Sequence, residues 1–148
     1  MVYSNDQLEP SWHQLVGHSI GPLNFGANME ILLLVGLLFF KHFIVDFPLQ
    51  NKYQWQNKGM YGHLGGVLHA SLHGLATALV FWFWAPLACL WIGLFDAVIH
   101  YHIDWAKMNL NAKMGWGPTT HEQFWWLLGV DQFLHAMTYI WLVSLIVA

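Results

Sequence analysis

Four apolar segments, each long enough to cross a bilayer, carry one pair of ionisable side chains apiece, always spaced four residues apart. The first segment runs about 29–47 and stops at Pro48, the second about 63–84. The third starts after Ala85-Pro86 and reaches about Lys107, and the fourth runs about 121–148. Each is near the roughly 20 residues that span hydrocarbon as a helix. Pro48 ends the first because proline and its predecessor both resist helical continuation. Pro86 suits a first helical turn, where its missing N–H costs nothing. Thr119 and Glu122 have the spacing of a capping box for the fourth.

A chain with this inventory cannot cover itself with a water-soluble surface. Of 148 residues, 57% are hydrophobic and 9% charged, with ten Trp, ten Phe and five Tyr beside five Lys and no Arg. A soluble domain carries about 25% charge. The expected fold class is therefore all-α, an integral membrane four-helix bundle of one-domain size. Five basic residues exclude a nucleic-acid footprint, which needs Lys and Arg on phosphates. A single Cys89 excludes a disulfide framework and a cysteine zinc site. The net charge of −3 says little about partners.

Residues 1–28 are mixed and polar and form a separate N-terminal segment, with 29–148 the four-span domain. No basic start precedes an apolar run, so no cleavable signal peptide is expected. Trp12, Leu15, Val16 and Ile20 suit a short interfacial helix. With spans alternating in direction, Lys41, Lys52, Lys58, Lys107 and Lys113 all fall on one side. The positive-inside tendency makes that side cytoplasmic and puts both termini on the non-cytoplasmic side.

The pairs are His42 and Asp46, His69 and His73, His100 and Asp104, and Asp131 and His135. Residues four apart share one helix face, one turn apart. Because the spans alternate, all four pairs come to one depth on the lysine side. Ionisable groups cost several kcal/mol in lipid and are usually functional. Eight candidate ligands in one layer suit a dinuclear centre built from inward-facing side chains of a helix bundle. Nitrogen and oxygen donors without sulfur suit two divalent ions, zinc first, with iron or manganese as options. Some aspartates would orient ligating histidines rather than bind metal. Hydrogen-bonded helix contacts without metal, and bis-histidine haem, are the competing readings.

Asp96 lies one turn before His100 and is the candidate catalytic residue, as proton acceptor or relay. His102 sits off the pair's face, His63 and His121 belong to loops or helix starts, and His13 and His18 to the outer tail. Residues 48–62 and 108–120 are candidate covers for the layer, and their lysines can attract an anionic head group.

The run His42-Phe43-Ile44-Val45-Asp46-Phe47-Pro48-Leu49-Gln50 resembles the opening motif of a phage and bacterial membrane family known as domain of unknown function 3307. His69 to His73-Gly74, His100 to Asp104 with Lys107, and Asp131-Gln132 with His135 resemble its later motifs, over about residues 30–145. The resemblance implies a small multi-pass membrane protein and leaves activity open. The layout is also similar to membrane-bound metal-dependent hydrolases, an analogy of arrangement.

The leading expectation is a dinuclear metal-dependent hydrolase in the bacterial inner membrane. Its substrate would be a phosphoester or lipid-linked molecule near the cytoplasmic leaflet. The expected partners are membrane lipids, with other subunits or a homo-oligomer as further options. Two rivals keep the metal: a di-iron oxidoreductase, and a metal-stapled, non-enzymatic subunit of a membrane complex. A metal-ion or proton path is a weaker option, because the ionisable layer is confined to one leaflet.

Overall fold

The computed structural model describes residues 25–147. They fold as five α-helices: α1 (Phe25–Asp46), α2 (Lys52–Asn57), α3 (Leu64–Phe81), α4 (Cys89–Met114) and α5 (Glu122–Val147). No strand occurs among the described residues. The expected interfacial helix and His13 and His18 lie outside them. The first long helix begins at Phe25, ahead of the expected boundary at 29.

The four long helices contact one another in a closed order: α1 packs on α3 and α5, and α4 packs on α3 and α5. The short α2 packs on the start of α3. The helix α1 ends at Asp46, just before Pro48, and Leu49 N–H closes the turn onto Ile44 O at 3.0 Å. Asn51 then caps α2 in a full capping box with Gln54. The helix α3 starts behind His63, whose ring nitrogen accepts from Gly65 N–H. Gly65 and Gly66 lie flush against α2: a Cβ on Gly65 would meet Tyr53 O at 2.6 Å, and one on Gly66 would meet Lys58 Cα at 3.1 Å.

Two local expectations change. The third long helix starts at Cys89 rather than at Pro86, because residues 82–88 form turns, with Ala85 N–H bonded to Phe81 O and Cys89 N–H to Ala85 O. It also continues past Lys107 to Met114. It stops at Gly115, whose φ of 67° is a left-handed cap that suits glycine. The last long helix starts at Glu122, so Thr119 is too far back to cap it. Thr120 and His121 N–H groups instead bond Gly117 O.

The interior is more polar than the outside. Among the described residues, thirteen buried side chains are polar or charged and ten are apolar. Large apolar groups such as Leu33, Phe40, Leu75, Trp91 and Phe133 point outward. A soluble protein does the reverse, whereas a chain solvated by lipid keeps its ionisable groups inside. Three helices (α1, α3 and α5) are long and apolar enough to cross a membrane. The helix α4 is not among them, since Asp96, His100, His102 and Asp104 make its otherwise apolar N-terminal part more polar. The apolar core of Leu34, Leu38, Phe81, Cys89, Tyr139, Leu142 and Val143 occupies the half of the structure at the α3–α4 turn. The polar layer fills the other half.

Candidate metal centre

The four-residue spacing places each pair on the inner face of its helix. From α1, His42 and Asp46 enter the layer; from α3, His69 and His73; from α4, His100 and Asp104; from α5, Asp131 and His135. The side chains of all eight are at most 9% exposed, or belong to residues that are buried.

Asp46 is the focus. Its Oδ1 lies 3.1 Å from His69 Nε2, 3.1 Å from His73 Nε2 and 3.9 Å from His100 Nε2. His69 and His100 also face each other, Nε2 to Nε2, at 3.1 Å. These four residues form one group whose donor atoms all lie within 4.8 Å of one another. In a tetrahedral zinc site with Zn–N near 2.0 Å, neighbouring ligand atoms sit about 3.3 Å apart. The observed short contacts are close to that edge, so the donor set fits a metal ion.

A second group, His100, Asp104 and His135, shares His100 with the first. Here Asp104 Oδ2 is 3.2 Å from His69 Nε2 and 3.4 Å from His100 Nε2. His135 Nε2 stands off, 4.0 Å from Asp104 Oδ1 and 3.7 Å from Asp131 Oδ1. Both His135 Nε2 and Asp131 Oδ1 are buried without a hydrogen-bond partner. Orphaned buried polar atoms are costly, and a cation is one way to satisfy them.

Two of the eight sit outside both groups. His42 Nε2 faces two acceptors, Asp46 Oδ2 at 3.0 Å and Gln132 Oε1 at 3.0 Å, so it carries the proton. Its Nδ1 then accepts from the Tyr139 hydroxyl at 2.8 Å. With both nitrogens engaged, His42 orients Asp46, as partners of metal ligands commonly do. Asp131 Oδ2 accepts from Lys107 Nζ at 3.2 Å and from Gln132 Nε2 at 3.1 Å.

Three of the lysines pair with the aspartates. Lys41 Nζ donates to Asp96 Oδ2 at 2.8 Å, and Lys58 Nζ lies 3.0 Å from Asp104 Oδ2. With Lys107 on Asp131, three aspartates each have a lysine, and Asp46 alone in the layer has none among its described contacts. Asp96 also accepts from Thr77 Oγ1 at 2.6 Å. Lys41 stands between Asp96 and the ring of His73, 3.4 Å from His73 Nδ1. Asp96 therefore meets the layer through Lys41.

Sequence reasoning read these lysines as a topology and head-group signal rather than as partners of aspartates, quoted Lys107 and Gln132 only within the family motifs, and passed over Thr77 and Tyr139. The signal for the last two was present. Continuing the four-residue step one turn further leads from His73 to Thr77 and from His135 to Tyr139. Of the two candidate covers, residues 48–62 reach the layer, through Gln50 Nε2 at 3.2 Å from His69 Nε2 and through Lys58. His102 bonds Val98 O and lies by Tyr61, away from the layer. His121 is exposed beside Thr120.

Fold and site together define a helical protein with membrane-length apolar helices and a buried histidine–aspartate layer able to hold metal. A family model described as Protein of unknown function (DUF3307) matches residues 33–148, and the chain belongs to that family. No curated protein and no solved structure matches it.

Proposed function

We propose that the chain is a metal-dependent hydrolase of a bacterial inner membrane, with a zinc-class ion held by Asp46, His69, His73 and His100. In this reading α4 crosses the membrane with the other three long helices as a four-helix bundle. Its polar face is turned inward and the lysine end faces the cytoplasm.

The observation that carries it is Asp46. Three histidine Nε2 atoms converge on one carboxylate oxygen, and this is the aspartate without a lysine. With the histidines neutral, the four aspartates Asp46, Asp96, Asp104 and Asp131 against the three lysines paired with them leave one negative charge. One divalent ion with an activated water as hydroxide restores neutrality; two ions would leave a large positive excess. The count supports one resident ion where the spacing of eight ligands suggested two. Such an ion supplies Lewis acidity and a nucleophilic water at neutral pH. The chain's own residues hold it, keep bulk water out, and orient Asp46 through His42, Gln132 and Tyr139.

A lipid-linked substrate is supported by a groove of about 380 Å³ between α4 and α5. Its walls are apolar, including Ile103, Leu127, Val130 and Leu134, and Lys107 and Asp131 stand at its polar edge. A chain lying there brings its head group beside the layer. Haem is disfavoured by ring packing: His73 and His100 stack at 3.6 Å and His100 and His135 at 4.1 Å, where a porphyrin needs the gap.

The test is elemental analysis of protein purified in mild detergent, followed by hydrolysis assays on lipid phosphoesters. About one zinc or manganese per chain, lost together with hydrolysis in Asp46→Asn, is expected. Metal without any hydrolysis sinks the enzyme and leaves a metal-stapled subunit. Bound iron with oxygen-dependent turnover moves the reading to a di-iron oxidoreductase. Folded protein that takes up no metal overturns it outright.

A further inference from the structure

The second ligand group already contains a cation. Lys58 Nζ lies 3.0 Å from Asp104 Oδ2, and the side chains of the pair are 8% and 4% exposed. Lys58 is fixed there by its backbone. It is the C-cap of α2, its N–H bonds Gln54 O, and its Cα lies against Gly66 of α3. In the same group Asp104 Oδ2, His100 Nδ1 and His135 Nε2 lack hydrogen-bond partners, as does Asp131 Oδ1 3.7 Å from His135 Nε2, and His100 is shared with the Asp46 group.

We propose that Lys58 takes the place of a second metal ion in this centre. Its ammonium is the built-in cation of the His100–Asp104–His135 group, and a divalent ion enters that group only when Lys58 is removed. The inference rests on the reading that the Asp46 group holds the resident ion. Two physical reasons support it. A divalent ion beside a buried ammonium is repelled with little solvent to screen it. His100 Nε2 has one lone pair, so once it serves the Asp46 group it cannot also serve the second. With the ammonium removed, Asp104 is left uncompensated, and the unpartnered His135 Nε2 and Asp131 Oδ1 complete a donor set of nitrogen and oxygen.

The arrangement also narrows the substrate class. A lysine ammonium next to a metal position is a hydrogen-bond donor and point charge aimed where an anionic oxygen binds. It suits a phosphoester, whose second oxygen it would hold, better than a neutral amide or ester.

The experiment loads the full chain in mild detergent with zinc alone, removes excess by gel filtration, and counts bound zinc. Wild type is expected to hold about one ion, Lys58→Met about two, and Lys58→Arg about one. The double variant Lys58→Met with Asp104→Asn returns to about one, because the new site loses its carboxylate. Two ions in wild type overturn the inference while leaving the Asp46 site standing. One ion in Lys58→Met also overturns it. No ion in wild type overturns the underlying metal reading instead. Should Lys58→Met fail to fold, Lys58→Gln, which also removes the ammonium, decides alone. About two ions support the inference, and about one overturns it.

Discussion

Gly74 of α3 and Gly93 of α4 face each other at the helix crossing, each with no room for a side chain. A Cβ on Gly74 would lie 2.5 Å from Gly93 O and 2.8 Å from Ala97 Cβ; one on Gly93 would strike Gly74 O. The close crossing places His73, next to Gly74, in ring contact with His100, two turns beyond Gly93. Two backbones touching through small residues is a common way for helices to pack in lipid. The expected outcome is that Gly74→Ala and Gly93→Ala each destabilise the protein by about 1–3 kcal/mol, as overpacking does. Thermal unfolding in detergent checks this. Gly36→Ala is the control, since nothing lies within 4 Å of the added atom there. An equal loss in the control would remove the crossing as the cause.

The orienting chain on Asp46 gives a graded prediction. His42 holds Asp46 Oδ2, and Tyr139 holds His42. Tyr139→Phe removes only the hydroxyl and should weaken zinc affinity about 10-fold, and His42→Ala up to about 100-fold, the range for partners of ligands. Asp46→Asn, which removes the ligand oxygen's charge, should exceed both. Competition against a chelator of known affinity gives the order. A larger loss of affinity in Tyr139→Phe than in Asp46→Asn would contradict the chain of support drawn here.

Most of the centre was legible because helix periodicity is local. His69 and His73 must share a face whatever the tertiary structure, and the same holds for the other pairs. Alternation of apolar segments then suffices to bring the pairs to one depth. The partners of the lysines were not legible, since ion pairing is long-range: Lys41 finds Asp96 fifty-five residues away. Lysine's long stem also lets a residue in a loop, such as Lys58, reach an interior carboxylate, so position outside a span does not mean exposure. The polar character of α4 hid its full length for a related reason. Asn109, Asn111 and Lys113 after Lys107 read as loop, yet Asn109 bonds Trp105 O and Gly59 O, and the helix runs on to the Gly115 cap.

Metal removal should unfasten the layer. Four donors from three helices, α1, α3 and α4, meet in the Asp46 group, so a bound ion couples the helices and stabilises the folded state only. At a free zinc concentration 100 times its dissociation constant, the expected stabilisation is about 2.7 kcal/mol. Chelator should therefore lower the unfolding temperature of wild type, and added zinc should restore it. Asp46→Asn should show neither response. A chelator effect that persists in Asp46→Asn would place the ion elsewhere.

The Lys41–Asp96 pair tests whether the deep ion pair is structural. Lys41 is 7% exposed and Asp96 1%, and Thr77 supplies the carboxylate with a further hydrogen bond. Removing one partner of a buried pair leaves an uncompensated charge and typically costs about 3–5 kcal/mol. Lys41→Met should do this, and Asp96→Asn should strand the ammonium in turn. The double variant removes both charges, and the amide oxygen that Asp96→Asn leaves in place can still accept from Thr77, so it should cost less than either single change. A double-mutant cycle on unfolding free energy measures the coupling. Zinc content should stay at the wild-type level in the double variant, because Asp96 reaches the layer only through Lys41. Lost zinc there would instead make the Lys41–Asp96 pair a support of the metal site, acting on His73 through Lys41, and additive costs would mean that the two charges do not compensate each other.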